Sequence, residues 1–351
     1  MPRIFQMSKA SSFIATPDEL LDADTPDTVR MSPAAAAELA RGALRRIGYG
    51  DEDAQIITDQ LIDNALCGYR FASLPRILAI AGDEKTRKER RPIKIVHETP
   101  LSALIDGGNN VGYVSVYHAT QLAIKKAQTS GIASVGVYDS YYSGRNAYFV
   151  EMIAQQGLVG IHAASAKPRV LPIGGMRPAF GTNPLCFGFP SVNGPVIYDM
   201  GTASIMVGEI QLFAHIGQEL PADIAFDADG NPTRDANAAL KGGWVPFGGH
   251  KGAGLSFAVQ ALGLLAGAAL AHGKVQDYGF LLFVIDPKLM LPGGEFPQQM
   301  ADLVAAIKAT PRRPGVDEIR IPSERAFRER ERRRAEGLVF DRKVVDSLKA
   351  L

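Results

Sequence analysis

Two glycine-dense segments hold the residues best suited to chemistry, PIGGMRPAFGTNP at 172–184 and PFGGHKGAG at 246–254. Glycines let a backbone approach a ligand closely and expose its N–H donors. Gly252 leads into a long Ala/Gly-rich run, and a helix starting there favours an anion at its N-terminus. His250 and Lys251 stand at that terminus, where a cation opposes the helix dipole and does little for stability. An anionic ligand between lysine and helix end accounts for them. So does a set of tight turns carrying a solvated lysine, and the residues alone leave both open. Other signatures are missing: no GxGxxG follows a strand, and there is no GxxxxGK[ST], HExxH, GxSxG or kinase motif. The histidines (His97, His118, His162, His215, His250, His272) are scattered singly, without metal-ligand spacing. No metal is expected.

The elements that must position these residues alternate. Residues 33–48 read as an amphipathic helix with Pro33 in its first turn and Gly48 beyond its end. Residues 51–67 read as a second helix, from Ile56, Ile57, Leu61, Ile62 and Ala65, and a third lies around 71–82. EKTRKERRP is a solvated linker. Strands follow near 93–97 and 102–105, and then DGGNNVG, which is turn chemistry. Ser115 is placed to cap a helix over 115–129 that Gly131 follows. Strands at 132–138, 158–164, 195–200 and 278–286 and helices at 145–155 and 323–336 complete an α/β layered pattern.

Composition narrows the class. In 351 residues, 38 basic and 37 acidic side chains leave a net charge of +1, which gives no general attraction to nucleic acid or anionic lipid. The basic run RERERRR is interleaved with acids, and helical pairs such as Glu329–Arg333 explain it. Residues 253–271 carry no charge and are long enough to span a bilayer. Their Ala/Gly content favours instead a small-residue helix buried in a large domain. Cys67 and Cys186 have no near neighbours for a zinc pair or a disulfide framework, which suits a reduced, cytoplasmic setting. Met1 to Arg30, rich in Ser, Thr, Asp and Pro, reads as a loosely ordered extension without a signal peptide, such as an arm lying on a partner subunit.

The ordered series GGMRPAFGTNP, the strand ending in Asp199-Met200-Gly201, FDADGNPT at 226–233, GGHKGAGL at 248–255 and RIPSER at 320–325 resembles the malate/L-lactate dehydrogenase family of the non-Rossmann type, from about residue 33 to the C-terminus. The resemblance implies a layered α/β/α domain with a mixed sheet, plus a helical domain from the two ends of the chain. The expected division is 1–30 as a flexible extension, 31–90 with 312–351 as the helical domain, and 91–311 as the cofactor- and substrate-binding domain. The resemblance also implies a nicotinamide-dependent reductase of small 2-oxo acids or cyclic 2-imino acids, and a homodimer with its active sites near the subunit interface. Cofactor positions carry over to Ser143, Gly144, Arg145 and Asn146, to Ser165, to Asp199, Met200 and Gly201, to His250, Lys251 and Gly252, and to Pro322 and Ser323. Substrate positions carry over to Arg76 and Thr182; an arginine holds a carboxylate in a bidentate fork, and a threonine can donate a hydrogen bond.

Departures fall on the proton chemistry. The family's Ser-His-Gly, with an arginine following, is Phe71-Ala72-Ser73 here with Arg76 kept, so the proton-donating histidine is Ala72. A second family histidine falls at Tyr142, and an arginine at Val207. Hydride transfer to C=O or C=N needs a proton for the heteroatom. Tyr142 or Tyr141 could supply it, with Arg145 lowering a phenol's pKa. A second reading is an imine reductase whose substrate arrives as an iminium and needs less from the enzyme, which makes Ala72 tolerable, and a third is a dinucleotide-binding homologue with altered or lost catalysis. No arginine immediately follows the Asp199 strand to receive a 2′-phosphate, so NAD(H) is expected over NADP(H).

Overall fold

The computed structural model describes residues 25–351. Its centre is a seven-stranded mixed sheet in the order β2-β3-β4-β10-β5-β6-β7. The strands are β2 (Lys94–Glu98), β3 (Ser102–Val111), β4 (Ile132–Tyr141), β5 (Val159–Ser165), β6 (Leu185–Phe189), β7 (Val196–Met200) and β10 (Gly279–Ile285). Only β3 and β4 pair in parallel in this sheet. That topology is not Rossmann-like, as the missing dinucleotide fingerprint implied. The unbroken apolar run of β10 follows from its place between β4 and β5. α4 (Gly112–Ser130) and α5 (Asn146–Gln155) pack one core against these strands.

A second core joins α1 (Pro33–Arg46), α2 (Asp51–Leu66) and α3 (Pro75–Gly82) to α11 (Arg342–Ala350). Ser32 caps α1 by accepting from the Ala35 N–H at 3.2 Å, and Ala36, Ala40, Ala43 and Leu44 fill its inner face. A third cluster surrounds the buried Trp244 in β9 (Gly243–Trp244), with α6 (Val207–Ile216), β8 (Ala225–Phe226) and α7 (Ala236–Lys241). α8 (His250–Leu265), α9 (Phe296–Lys308) and α10 (Glu324–Glu336) complete the α-helices among the described residues.

Several expectations are corrected. The extension read to Arg30 ends earlier: β1 (Thr28–Met31) pairs antiparallel with β11 (Leu338–Asp341). The arm expected before it lies outside the described residues. DGGNNV is not a turn, because β3 runs through it with a bulge between Asp106 and Asn110. Gly108 and Asn109, both at φ 61, supply the left-handed backbone there, so turn-type residues serve a bulge inside a strand. The strand then feeds directly into α4, whose first residue is Gly112; Ser115 is buried and bonded to Ser140 instead of capping. The expected helix from 71 is a short 3₁₀ turn over Arg70–Ala72, with α3 starting at Pro75. The linker is not wholly solvated, since the Lys85 ammonium lies 5.5 Å from the centre of the Tyr141 ring.

α8 differs most from its expected burial. Its small residues Gly252, Ser256 and Gly263 are buried, while Phe257 and Leu265 stay 66% and 68% exposed, leaving an apolar outer face. Gly263 permits this close approach, because a Cβ there would collide with Ser165. Among the described residues no helix is long and apolar enough to cross a membrane. In α10 the Glu329–Arg333 pair forms at 3.0 Å. The same helix also sends Arg330 inward, bidentate to Glu151 of α5 at 2.6 Å and paired with Asp63 of α2 at 3.0 Å. That clamp ties the helical layer to the sheet layer.

Candidate active site

β4 ends at Tyr141 and the chain turns sharply through Tyr142, Ser143 and Gly144 before α5. Tyr142 holds φ 49 and Gly144 φ 77. A side chain at 142 in this left-handed region carries strain that its surroundings must offset. The space is tight: a Cβ on Gly144 would lie 2.6 Å from Gln60 Nε2, and one on Gly112 would lie 2.9 Å from the Ser143 Cα. The half-buried Tyr142 ring meets Tyr141 and Tyr278 edge-on, with centroids 5.6 and 6.1 Å away. Burial raises the Tyr142 pKa, and the Asp83 carboxylate beside it adds to the rise, while Arg76 and Arg169 oppose it. The phenol therefore holds its proton at neutral pH.

Arg76, in the first turn of α3, faces the same ring. Its guanidinium carbon lies 4.6 Å from the Phe71 centroid and 5.8 Å from that of Tyr142. Among the described residues no carboxylate pairs with it. Ala72 sits in the adjoining 3₁₀ turn, and Gly208 of α6, next to Val207, packs directly on Phe71. Arg145 is not where the phenol could feel it. Its guanidinium turns inward to an ion pair with Asp63, to Asn64 Oδ1 at 2.8 Å and to the Tyr69 ring. The expectation that it lowers a phenol's pKa is thereby corrected, because buried acceptors on α2 hold it away.

A chain of hydrogen bonds links the remaining segments. Asp199, on β7, accepts from the Ala147 N–H at 2.8 Å and so caps the first turn of α5. Burial raises its pKa against that bond. Beyond Met200 and Gly201, Thr202 donates from its N–H and hydroxyl to the Thr182 carbonyl at 2.8 and 3.1 Å, and accepts from Ser256 at 2.8 Å. Asn183, fully buried at φ 36, donates to the Ser256 carbonyl at 2.8 Å and joins the GTNP turn to α8. Ser165 is buried and donates to the Asp277 carbonyl at 2.7 Å. Ser323, beside the exposed Pro322, donates to the Ile197 carbonyl at 2.8 Å. The hydroxyls and carboxylate of Ser165, Asp199 and Ser323 thus bind the protein's own backbone and brace the site.

The glycine turn before α8 is open. Gly248 and Gly249 hold φ 55 and 61 with free space around them, and His250 and Lys251 are exposed. Gly252 is buried against the Phe247 carbonyl. Asn146 is 1% exposed, yet neither atom of its side-chain amide has a partner. An orphaned amide at the first residue of α5 and a cation at a free helix N-terminus are donors of the kind a nicotinamide dinucleotide requires. The residues present fit that group. Beyond the far end of α8, a cleft of about 430 Å³ is lined by Lys85, Asn109, Asp139 and His272 among others, but its charges largely pair with one another, as Arg91 does with Asp106 and Asp139. Among the described residues no three His, Cys, Asp or Glu side chains gather as metal donors.

Sequence reading missed Gln60, Asp63 and Asn64, the α2 side chains that grip this loop. Their i, i+3, i+4 spacing beside the buried Ile57 and Leu61 was the available signal.

The profile described as malate/L-lactate dehydrogenase matches residues 31–349. An L-sulfolactate dehydrogenase of Methanothermobacter thermautotrophicus is 33% identical over 91% of this chain and 95% of its own. A Delta(1)-pyrroline-2-carboxylate/Delta(1)-piperideine-2-carboxylate reductase of Pseudomonas putida is 34% identical over 70% and 74%. The solved malate dehydrogenase of Pyrococcus horikoshii superposes with a TM-score of 0.83 at 28% identity, over 93% of this chain and 96% of that one.

Proposed function

The chain belongs to the malate/L-lactate dehydrogenase family and is an oxidoreductase acting on hydroxy or imino groups; we propose that it reduces a small 2-oxo acid or cyclic 2-imino acid. The observation that carries the reading is Arg76, a guanidinium without a carboxylate partner among the described residues, held between Phe71 and Tyr142. Stacked on two rings, it presents its N–H edge to a substrate carboxylate.

Reduced nicotinamide, when bound, supplies the hydride. Lys251 and the start of α8 would hold its diphosphate, and the Asn146 amide has the chemistry to pair with its carboxamide. NAD(H) is the expected form, since no arginine immediately follows the Asp199 strand. Arg76 binds and orients the substrate, with Thr182 offering a hydroxyl from within the braced GTNP turn. Tyr142 holds a proton at its hydroxyl for an alkoxide oxygen, and the cations Arg76 and Arg169 favour the tyrosinate left behind. A cyclic iminium becomes a neutral amine on receiving hydride and asks nothing of Ala72. The apolar outer face of α8 supports a homodimer. Cys67 and Cys186, buried and unpaired, suit the cytoplasm.

The test is turnover of NADH and NADPH with a panel of 2-oxo acids and cyclic 2-imino acids. Oxidation of either cofactor dependent on one of these substrates is expected. Tight cofactor binding with no turnover on any of them would identify a binding protein that has lost catalysis.

A further inference from the structure

Asn64 is fully buried in the last turns of α2 and uses both ends of its amide. Its Nδ2 donates to the Ala72 carbonyl at 2.9 Å, and its Oδ1 accepts from Arg145 Nε at 2.8 Å. The first contact holds the turn that carries Phe71 and leads into Arg76. The second holds the loop that carries Tyr142. One helical turn earlier, Gln60 Nε2 donates to the carbonyls of Ser143 at 2.9 Å and Arg145 at 3.2 Å. Gln60 thus grips only the loop, whereas Asn64 bridges the two segments.

From this juxtaposition we infer that Asn64 is a positioning residue, which sets the spacing between the substrate-binding guanidinium of Arg76 and the hydroxyl of Tyr142. It touches neither substrate nor cofactor. The inference rests on the reading of Arg76 and Tyr142 above. Its physical basis is that two irregular segments, neither part of the sheet, have no direct backbone hydrogen bond to each other that could fix their separation. A single rigid amide on a packed helix supplies it. A rise of an ångström between positioned groups is enough to cost a large factor in rate. Tyr142 is the more dependent on such support because its left-handed backbone is strained.

Asn64→Asp separates the two contacts. A carboxylate still accepts from Arg145, but it faces the Ala72 carbonyl with no donor, so the 70–73 turn is pushed away while the loop is kept. The expected result is a KM for the carboxylate substrate raised about ten-fold, with the dissociation constant of the cofactor within about two-fold of wild type. Gln60→Glu repels the loop alone and should lower kcat about ten-fold with KM retained. Adding Asn64→Asp to Arg76→Lys should raise KM no further than Arg76→Lys alone, because both act on one guanidinium. A lowered melting temperature with wild-type KM and kcat, or fully additive effects in the double variant, would overturn the inference and leave Asn64 a stability residue. Should Asn64→Asp not fold, Asn64→Ser, which is smaller and uncharged, must raise KM and lower kcat together; wild-type kinetics in it count against the inference. If Arg76→Lys by itself leaves KM unchanged, the carboxylate reading fails instead, and the two failures are distinct.

Discussion

Arg76 and Tyr142 share one face of the site, the guanidinium carbon lying 5.8 Å from the centre of the phenol ring. They come from separate layers, α3 and the end of β4, and the cation has no carboxylate partner among the described residues. An arginine left unpaired and stacked is poised for a planar anion. Arg76→Lys keeps the charge but loses the fork, so the KM for an accepted carboxylate should rise roughly 10- to 100-fold, about 1.4–3 kcal/mol. Cofactor affinity should stay near wild type. Unchanged steady-state kinetics would remove Arg76 from the role of carboxylate clamp.

Lys251→Ala should weaken dinucleotide binding without loss of the fold. The side chain is exposed at the start of α8 and no ion pair engages it among the described residues. Loss of a charge-assisted phosphate contact costs about 1.5–3 kcal/mol, a ten- to hundred-fold change in affinity. Titration of cofactor fluorescence measures it directly. Equal affinity of both proteins for NADH and NADPH would move the diphosphate elsewhere.

How far the sequence could show this arrangement depended on whether a residue's partner is local. β10 was legible because a central strand is apolar on both faces, and α1 because Pro33 and Gly48 punctuate it. The glycine turn before α8 was legible for the same reason. The bulge in β3 was not, since Gly108 and Asn109 carry the same turn chemistry whether a chain reverses or kinks. Nor was the inward course of Arg145, which is decided by Asp63 and Asn64 some eighty residues earlier. Gln60 and Asn64 hid within a helix read for its apolar period alone.

His162 makes the protein acid-sensitive by a route apart from the active site. It is fully buried on β5, with Nδ1 3.0 Å from the Leu281 carbonyl and Nε2 without a partner. Burial lowers its pKa from 6.5 to about 4. The folded state therefore binds fewer protons than the unfolded state between these values. Stability is intact above about pH 6.5 and falls as pH drops towards 4, by about 3 kcal/mol in all. His162→Phe should lessen this fall, although the larger ring costs some packing at every pH. Denaturant melts at pH 7 and pH 5 give the comparison. An equal pH 7-to-5 loss in both proteins would assign the acid sensitivity to other groups.

Tyr142→Phe separates the proton donor from the ring that carries it. Phenylalanine keeps the edge-on contacts with Tyr141 and Tyr278 and the face towards Arg76, and removes only the hydroxyl. Fold and cofactor affinity should therefore survive. In the wild type, burial and Asp83 keep the phenol protonated, which makes it a donor at neutral pH but a weak acid. If it protonates the nascent alkoxide, kcat for a 2-oxo acid should fall by about 10²–10⁴-fold in the variant. A cyclic imine that binds as the iminium should lose far less, because hydride addition alone gives a neutral amine. The ratio of the two losses is the informative quantity, since a general disturbance of the site would lower both alike. Full ketone-reducing activity in the phenylalanine variant would falsify Tyr142 as the acid. Equal losses on both substrates would make it a packing residue of the substrate wall.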